Sequence, residues 1–198
     1  MIKRAIGVGL AALALLAAPA MAQKLESDGE AFLSALRESQ GSKAYDLVEA
    51  NGSTVVNYRG QNGDAPLHIV VRSRNANWIG YLLANGADPN VGDKNGDTPL
   101  ILAARSGYVE AVSRLLMSHA QVDKANKLGE TALIVAVQQR QATIVSTLLK
   151  LGANPDKADH ASGYSARDYA KRDSRSKDML RLIETVKSRV PVPTGPTR

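Results

Sequence analysis

Three carboxylates recur along this chain at steps of 33 residues: Asp64, Asp97 and Glu130. Neighbouring carboxylates can act as a general acid and a general base, so such a row raises the question of catalysis. Each of them, however, stands beside a predicted helix start, where the helix dipole favours negative charge. Because all of them share this structural reason, we expect them to support the helices rather than to form a paired-acid catalytic site.

The other candidate groups also lack a catalytic pattern. His68, His119 and His160 are separated by 51 and 41 residues, and these spacings match no metal motif. His119 is interpreted as a surface substitution in a loop, and His160 as a turn residue that could contact a partner. Ser165 lacks the second glycine of a nucleophile elbow and fits a helix cap instead. The chain has no cysteine, which excludes disulfides and thiolate metal sites. We therefore expect no catalytic residue, no metal and no cofactor.

The elements that position these residues repeat with the same period. A first phrase reads Ala65-Pro66-Leu67-His68, then Thr98-Pro99-Leu100-Ile101, then Thr131-Ala132-Leu133-Ile134. A second phrase reads Gly86-Ala87-Asp88-Pro89-Asn90, then His119-Ala120-Gln121-Val122-Asp123, then Gly152-Ala153-Asn154-Pro155-Asp156. Threonine is a good N-cap and proline suits the first helical position. The pattern predicts stacked helix pairs separated by turns.

The two phrases and their period resemble the ankyrin-repeat family over roughly Leu25 to Val186. This resemblance implies an all-α ankyrin-repeat solenoid, built from paired antiparallel helices with hairpin-like turns. We expect about five repeats, of which the first and last are degenerate caps because one face of each meets water. The resemblance also implies that His68 forms hydrogen bonds that brace neighbouring turns. The repeats are placed at about 26–59, 60–92, 93–125, 126–159 and 160–189.

Several positions depart from the repeat pattern. Ala65 replaces the threonine cap, which should cost about 1 kcal/mol unless Asp64 substitutes for it. Arg74 and Arg140 stand where another repeat has glycine between its helices, and His119 also replaces a glycine. If the backbone at these positions is left-handed, each substitution costs about 1 kcal/mol or more. We therefore expect moderate stability.

The N-terminus has the pattern of a secretory signal peptide. Lys3 and Arg4 precede an unbroken apolar run from Ala5 to Ala18, and a small-x-small cleavage site ends at Ala22. The alternative is an uncleaved membrane anchor, but the run is short for a span of about 20 residues. We expect export to the bacterial periplasm. The predicted organisation is a signal peptide over 1–22, a repeat domain over 23–189 and a flexible Pro-rich tail over 190–198.

The basic excess lies near the C-terminal end. Between Arg167 and Arg189 there are eight basic and four acidic residues. Such a run can attract nucleic acid or anionic lipid. Export would keep the protein away from nucleic acid, and a solvated capping repeat explains most of this charge. Weak contact with an anionic surface remains an alternative.

The resemblance implies a concave binding face made of the turns and the ends of each repeat's first helix. The turn positions are Gln61, Asn62, Asp64, Lys94, Asn95, Asp97, Lys127, Leu128, Glu130, His160 and Tyr164, and the helix-end positions are Arg72, Arg105, Gln138 and Arg172. Stacking would align them into a basic and an acidic stripe, which suits a polar protein surface or an extended peptide. The alternative is that these charges pair with each other across a turn.

The sequence therefore predicts a non-catalytic, monomeric protein-interaction module of the bacterial envelope. Its expected partner is a protein, without nucleic acid, and with membrane contact only during export. One alternative is a small-ligand protein or an enzyme with an unrecognised site. Another is an envelope-surface protein attached through its basic C-terminal repeat.

Overall fold

The computed structural model describes residue 23, residues 27–173 and residues 177–186. The predicted signal peptide and Pro-rich tail lie outside these described residues. Within them the chain forms the helices α1 (27–37), α2 (Gly41–Asn51), α3 (Ser53–Val56), α4 (Pro66–Arg72), α5 (Ala76–Ala84), α6 (Pro99–Arg105), α7 (Val109–Met117), α8 (Ala132–Gln138), α9 (Ala142–Lys150), α10 (Ala166–Arg172) and α11 (Lys177–Thr185).

The helices pack as pairs, and the pairs stack in two layers. Helix α4 packs against α5, α6 against α7, α8 against α9 and α10 against α11. The first helices of the pairs, α4, α6, α8 and α10, contact each other in chain order and form one layer. The second helices, α5, α7, α9 and α11, do the same and form the other layer. This arrangement confirms the all-α solenoid predicted from the 33-residue period.

Leucines at equivalent positions form the core between the two layers. Each fully buried leucine contributes about 1.5–3 kcal/mol relative to an exposed one, so this recurrence supplies much of the stacking energy. The leucines of the first helices and those of the second helices are at most 1% exposed: Leu67, Leu100 and Leu133, then Leu82, Leu115 and Leu148.

The turns before each first helix are closed by hydrogen bonds. The Asp93 N–H donates to the Asp97 carbonyl at 3.0 Å, and the Asn126 N–H donates to the Glu130 carbonyl at 3.0 Å. The Asp93 Oδ1 also accepts from the backbone N–H groups of Asn95 and Asp97, at 2.8 and 3.0 Å. Asn126 makes the same bonds in the next turn. These side chains hold each turn in one shape.

Successive turns are in direct contact with each other. The Lys127 N–H donates to the Asn95 carbonyl at 3.0 Å, and the His160 N–H donates to the Leu128 carbonyl at 2.7 Å. Gly129 has a φ of 82°, and a Cβ at this position would lie 2.5 Å from the His160 nitrogen. Glycine is therefore required both by the backbone conformation and by the approach of the next turn.

The helix starts follow the predicted capping pattern. Thr98 and Thr131 accept from the N–H groups three residues ahead, and Ser165 accepts from the Asp168 N–H at 3.2 Å. Ser165 is thus confirmed as a helix cap. Ala65 has no side-chain cap, and the Asp64 carboxylate is bonded to an arginine instead, so Asp64 does not substitute for the missing hydroxyl.

The backbone is left-handed at all three positions where the repeat pattern has glycine elsewhere, so the condition for a steric cost is met. The φ angles are 54° at Arg74, 63° at His119 and 55° at Arg140, against 67° at Gly107. Arg74 recovers part of its strain because its guanidinium donates to the Ser106 carbonyl and lies 4.9 Å from the Tyr108 ring centre. The His119 side chain is exposed.

We predict that His119→Gly raises the free energy of unfolding by about 1 kcal/mol, because glycine adopts positive φ without steric cost. Gly86 is the matched position in the preceding repeat, with a φ of 82° and no atom within 4 Å of an added Cβ. Gly86→Ala should therefore lower stability by a similar amount through backbone strain alone. Urea unfolding followed by circular dichroism measures both. A destabilised His119→Gly would contradict the strain argument.

Candidate functional site

Arginines at the ends of the first helices bind the turn carboxylates. Arg72 lies 2.6 Å from Asp64 in its own repeat and 3.0 Å from Asp93 in the next. Arg105 repeats the arrangement, 3.0 Å from Asp97 and 3.8 Å from Glu130 of the next repeat. The two predicted stripes therefore pair with each other, as the alternative interpretation proposed, and the pairs join adjacent repeats.

Asn126 completes this network. Its side-chain amide donates to the Asp97 carboxylate at 2.7 Å and to the Glu130 carboxylate at 2.8 Å. The Asp97 carboxylate, which lies beside a helix start, therefore accepts hydrogen bonds from both Arg105 and Asn126. The recurrence of carboxylates at this position is explained by arginine pairing as well as by the helix dipole.

The residues that begin the turns were not identified from the sequence as part of the site. They recur at the same 33-residue step, which was the available signal: Asp93, Asn126 and Asp159. In the last turn, Asp159 accepts from Tyr169, Ser162 and Gly163. Burial acts to raise the pKa of Asp159, but these hydrogen bonds outweigh it, so the pKa lies below its ordinary value.

His68 links the first complete repeat to its neighbour. Its side chain is fully buried; Nδ1 accepts from the Ala65 N–H at 2.9 Å, and Nε2 donates to the Asp97 carbonyl at 3.0 Å. The bracing role implied for this histidine is confirmed. Burial, the largest cause, lowers the pKa of His68 below 6.5, and the hydrogen bond to Asp97 opposes this shift.

We name these pairs, together with the neighbouring turn and helix-end residues, the groove face. It comprises the turn residues Gln61, Asn62, Asp64, Lys94, Asn95, Asp97, Lys127, Leu128, Glu130, His160 and Tyr164, with the helix-end residues Arg72, Arg105, Gln138 and Arg172. At its centre a cleft of about 350 Å³ lies between two successive turns. Arg105 and its carboxylate partners line the cleft, together with Lys94, Lys127 and Leu128.

The cleft has an exposed rim, formed by Lys94, Lys127 and Leu128, and a paired floor, formed by Asp97, Arg105, Asn126 and Glu130. Lys94 and Lys127 are exposed, and within the described part of the chain neither makes an ion pair. Leu128 is 55% exposed and places an apolar side chain beside the two lysines. The groove face therefore combines a hydrogen-bonded floor with unpaired cations and one apolar contact at the rim.

The two ends of the groove face differ from its centre. Gln61 and Asn62 are exposed at the first complete turn. At the other end Arg172 donates to the Tyr164 hydroxyl at 2.7 Å, and its guanidinium lies 4.4 Å from the Tyr164 ring centre. His160 is exposed beside them, while Gln138 interrupts the arginine row. Both lysines of the groove face therefore lie at its central cleft, and Arg172 adds an exposed cation at one end.

Residues 27–173 and 177–186 contain no group of three or more histidine, aspartate or glutamate side chains placed to hold a metal ion. In this same part of the chain, no helix has both the length and the apolar character needed to cross a bilayer.

The family model described as ankyrin repeats, in three copies, matches residues 67–159. This range contains helices α4 to α9 apart from the first residue of α4, and it includes the central cleft. No curated protein matches the chain.

We predict that His68 makes the free energy of unfolding decrease as the pH is lowered from about 7 to about 5. The unfolded histidine gains a proton near its ordinary pKa of 6.5, whereas the folded one resists protonation because its pKa is lowered. The unfolded state then binds more protons, and the free energy of unfolding drops by up to about 1.4 kcal/mol per pH unit.

Denaturant unfolding at several pH values tests this dependence. His68→Ile should flatten the slope over this window, because isoleucine occupies the equivalent positions Ile101 and Ile134 and does not titrate. An unchanged slope in His68→Ile would show that another group causes it.

Proposed function

Residues 67–159 belong to the ankyrin-repeat family, and from this premise we propose that the protein is a non-catalytic module that binds a protein partner on its groove face. Ankyrin repeats generally mediate protein–protein interactions. The proposal includes a monomeric chain, export through the N-terminal segment and action in the bacterial periplasm.

One observation supports the groove face as the binding surface. Two cations and one apolar side chain are exposed there, above a floor whose charged groups already pair with each other. The Asp97 carboxylate is held by Arg105 and by Asn126, so it has little need of a further partner. Lys94, Lys127 and Leu128 have no such internal role. Side chains left exposed in this way are available for recognition.

The paired floor also makes the face rigid before binding. Turn-to-turn hydrogen bonds and the arginine bridges hold neighbouring repeats in one register. A preorganised surface loses less conformational entropy when it binds, which improves affinity without additional contact area.

We predict that a photocrosslinking amino acid at Leu128 captures a protein partner in the cells that produce this chain. Leu151 is the matched control, because it is also an exposed leucine, at 40%, but directly follows α9 of the second-helix layer. Crosslinked products should form from position 128 and not from position 151, and mass spectrometry identifies the captured protein.

The yield of the same adduct should fall when the groove face is altered without breaking the ion pairs of its floor. Lys94→Glu with Lys127→Glu changes only exposed, unpaired cations, whereas reversing Arg72 or Arg105 would also break ion pairs that join the repeats. Equal adduct yields from positions 128 and 151 would place the interaction elsewhere on the chain.

We predict that the protein isolated from the periplasmic fraction begins at Gln23. Signal peptidase requires small residues at the cleavage site, so Ala20→Leu with Ala22→Leu should block this processing and leave a membrane-associated precursor. N-terminal sequencing and the intact mass distinguish the two forms. A chain that retains Met1 and stays in the cytoplasm would contradict the proposed export.

A further inference from the structure

Lys94 and Lys127 occupy equivalent positions in two successive turns and flank the central cleft. We propose that the groove face binds an extended acidic segment of a partner protein, in a polyproline II conformation, with a carboxylate at every third residue. This inference rests on the proposed function and adds the chemistry of the partner.

The exposed groups around the cleft are mainly hydrogen-bond donors. The side chains of Arg72 and Arg105 are 43% and 44% exposed, whereas those of their carboxylate partners are only 5–19% exposed. Outward N–H groups of the arginines therefore add to the lysine ammonium groups. A partner that fits this surface must supply acceptors, and carboxylates are the strongest acceptors for these cations.

The stacking distance sets the spacing of those carboxylates. Adjacent turns are bonded through the Lys127 N–H and the Asn95 carbonyl at 3.0 Å, and stacked helices lie about 8–10 Å apart. A stacking distance of this size places the Cα atoms of the two lysines about 10 Å apart. A polyproline II chain advances about 9 Å in three residues and completes one turn, so every third side chain points the same way.

Other conformations fit this pair of lysines less well. In a β-strand the third residue points to the opposite face, and residues on one face lie about 7 or 13 Å apart. An α-helix reaches about 10 Å after seven residues, but its carbonyls are bonded internally. A polyproline II backbone has free carbonyls, which Arg105 and the exposed Asn95 side chain can bind. Leu128, beside them, offers an apolar contact for a proline ring.

Fluorescence anisotropy with the purified protein and labelled synthetic peptides tests the proposal. The probe has four Glu-Pro-Pro units. A peptide of the same composition, with its four glutamates at positions 1, 2, 7 and 8 so that no two lie three residues apart, controls for net charge. We expect the evenly spaced peptide to bind at least about tenfold more tightly, because only it places carboxylates on both lysines at once. Its affinity should fall as salt rises, since the contacts are exposed ion pairs.

The variants assign the binding to the groove face. Lys94→Glu with Lys127→Glu should weaken binding of the spaced peptide by at least about tenfold. Lys43→Glu with Lys150→Glu makes the same charge change at exposed lysines of α2 and α9, and should alter affinity by less than about twofold. Circular dichroism verifies that both double variants remain folded.

Four outcomes would overturn the inference. Equal affinity for the two acidic peptides would show that the spacing of the carboxylates does not matter. An equal loss of affinity in both double variants would show that the binding is general charge attraction. Tighter binding of a helical peptide with a glutamate at every seventh residue would replace the extended partner with a helix. If no acidic peptide binds while Leu128 still captures a protein, the acidic partner is wrong and the interaction function stands.

Discussion

A helix pair of this size cannot bury its apolar side chains alone, and this constraint governs the whole structure. Leu100 and Leu115 become inaccessible only because neighbouring pairs cover them on both sides. Stability therefore depends on contacts between repeats, and each repeat must present the same interface to the next. The hydrogen bonds between turns and the bridging arginines follow from this requirement, since they hold the register that the leucines need.

The same requirement separates structural charges from available ones. A charge that lies between two turns must be paired, because an unpaired buried charge is costly. Asp93 meets this condition through Arg72 and through backbone N–H groups. Asp97 meets it through Arg105 and the side-chain amide of Asn126. A charge at the outer edge of a turn is under no such constraint. Lys94 and Lys127 lie at that edge, so their identity reflects the surface that the protein presents rather than the stack that it builds.

Most of the fold was predictable from the sequence because its local rules and its period agree. Thr98 and Ser165 indicated helix starts, and the glycine pattern identified Arg74 and Arg140 as left-handed positions. The pairing within the candidate site was harder to predict. Arg105 lies eight residues after Asp97 and 25 before Glu130, and only the folded turn brings the three together. The sequence could place these charges on one face but could not decide whether they contact each other or a partner.

The bridging pairs also bear on how a bound partner would affect stability. Exposed ion pairs contribute little individually, typically about 0.2–1 kcal/mol, so Arg72 and Arg105 do more to align the repeats than to stabilise them. A ligand that contacts two successive turns binds only when both repeats are folded and in register. Its binding energy then adds to the interface between those repeats, and at a concentration of about 100 times its Kd it stabilises them by about 2.7 kcal/mol. In a stack with moderate interfaces, that is enough for binding at the centre to strengthen the coupling between the two halves of the solenoid.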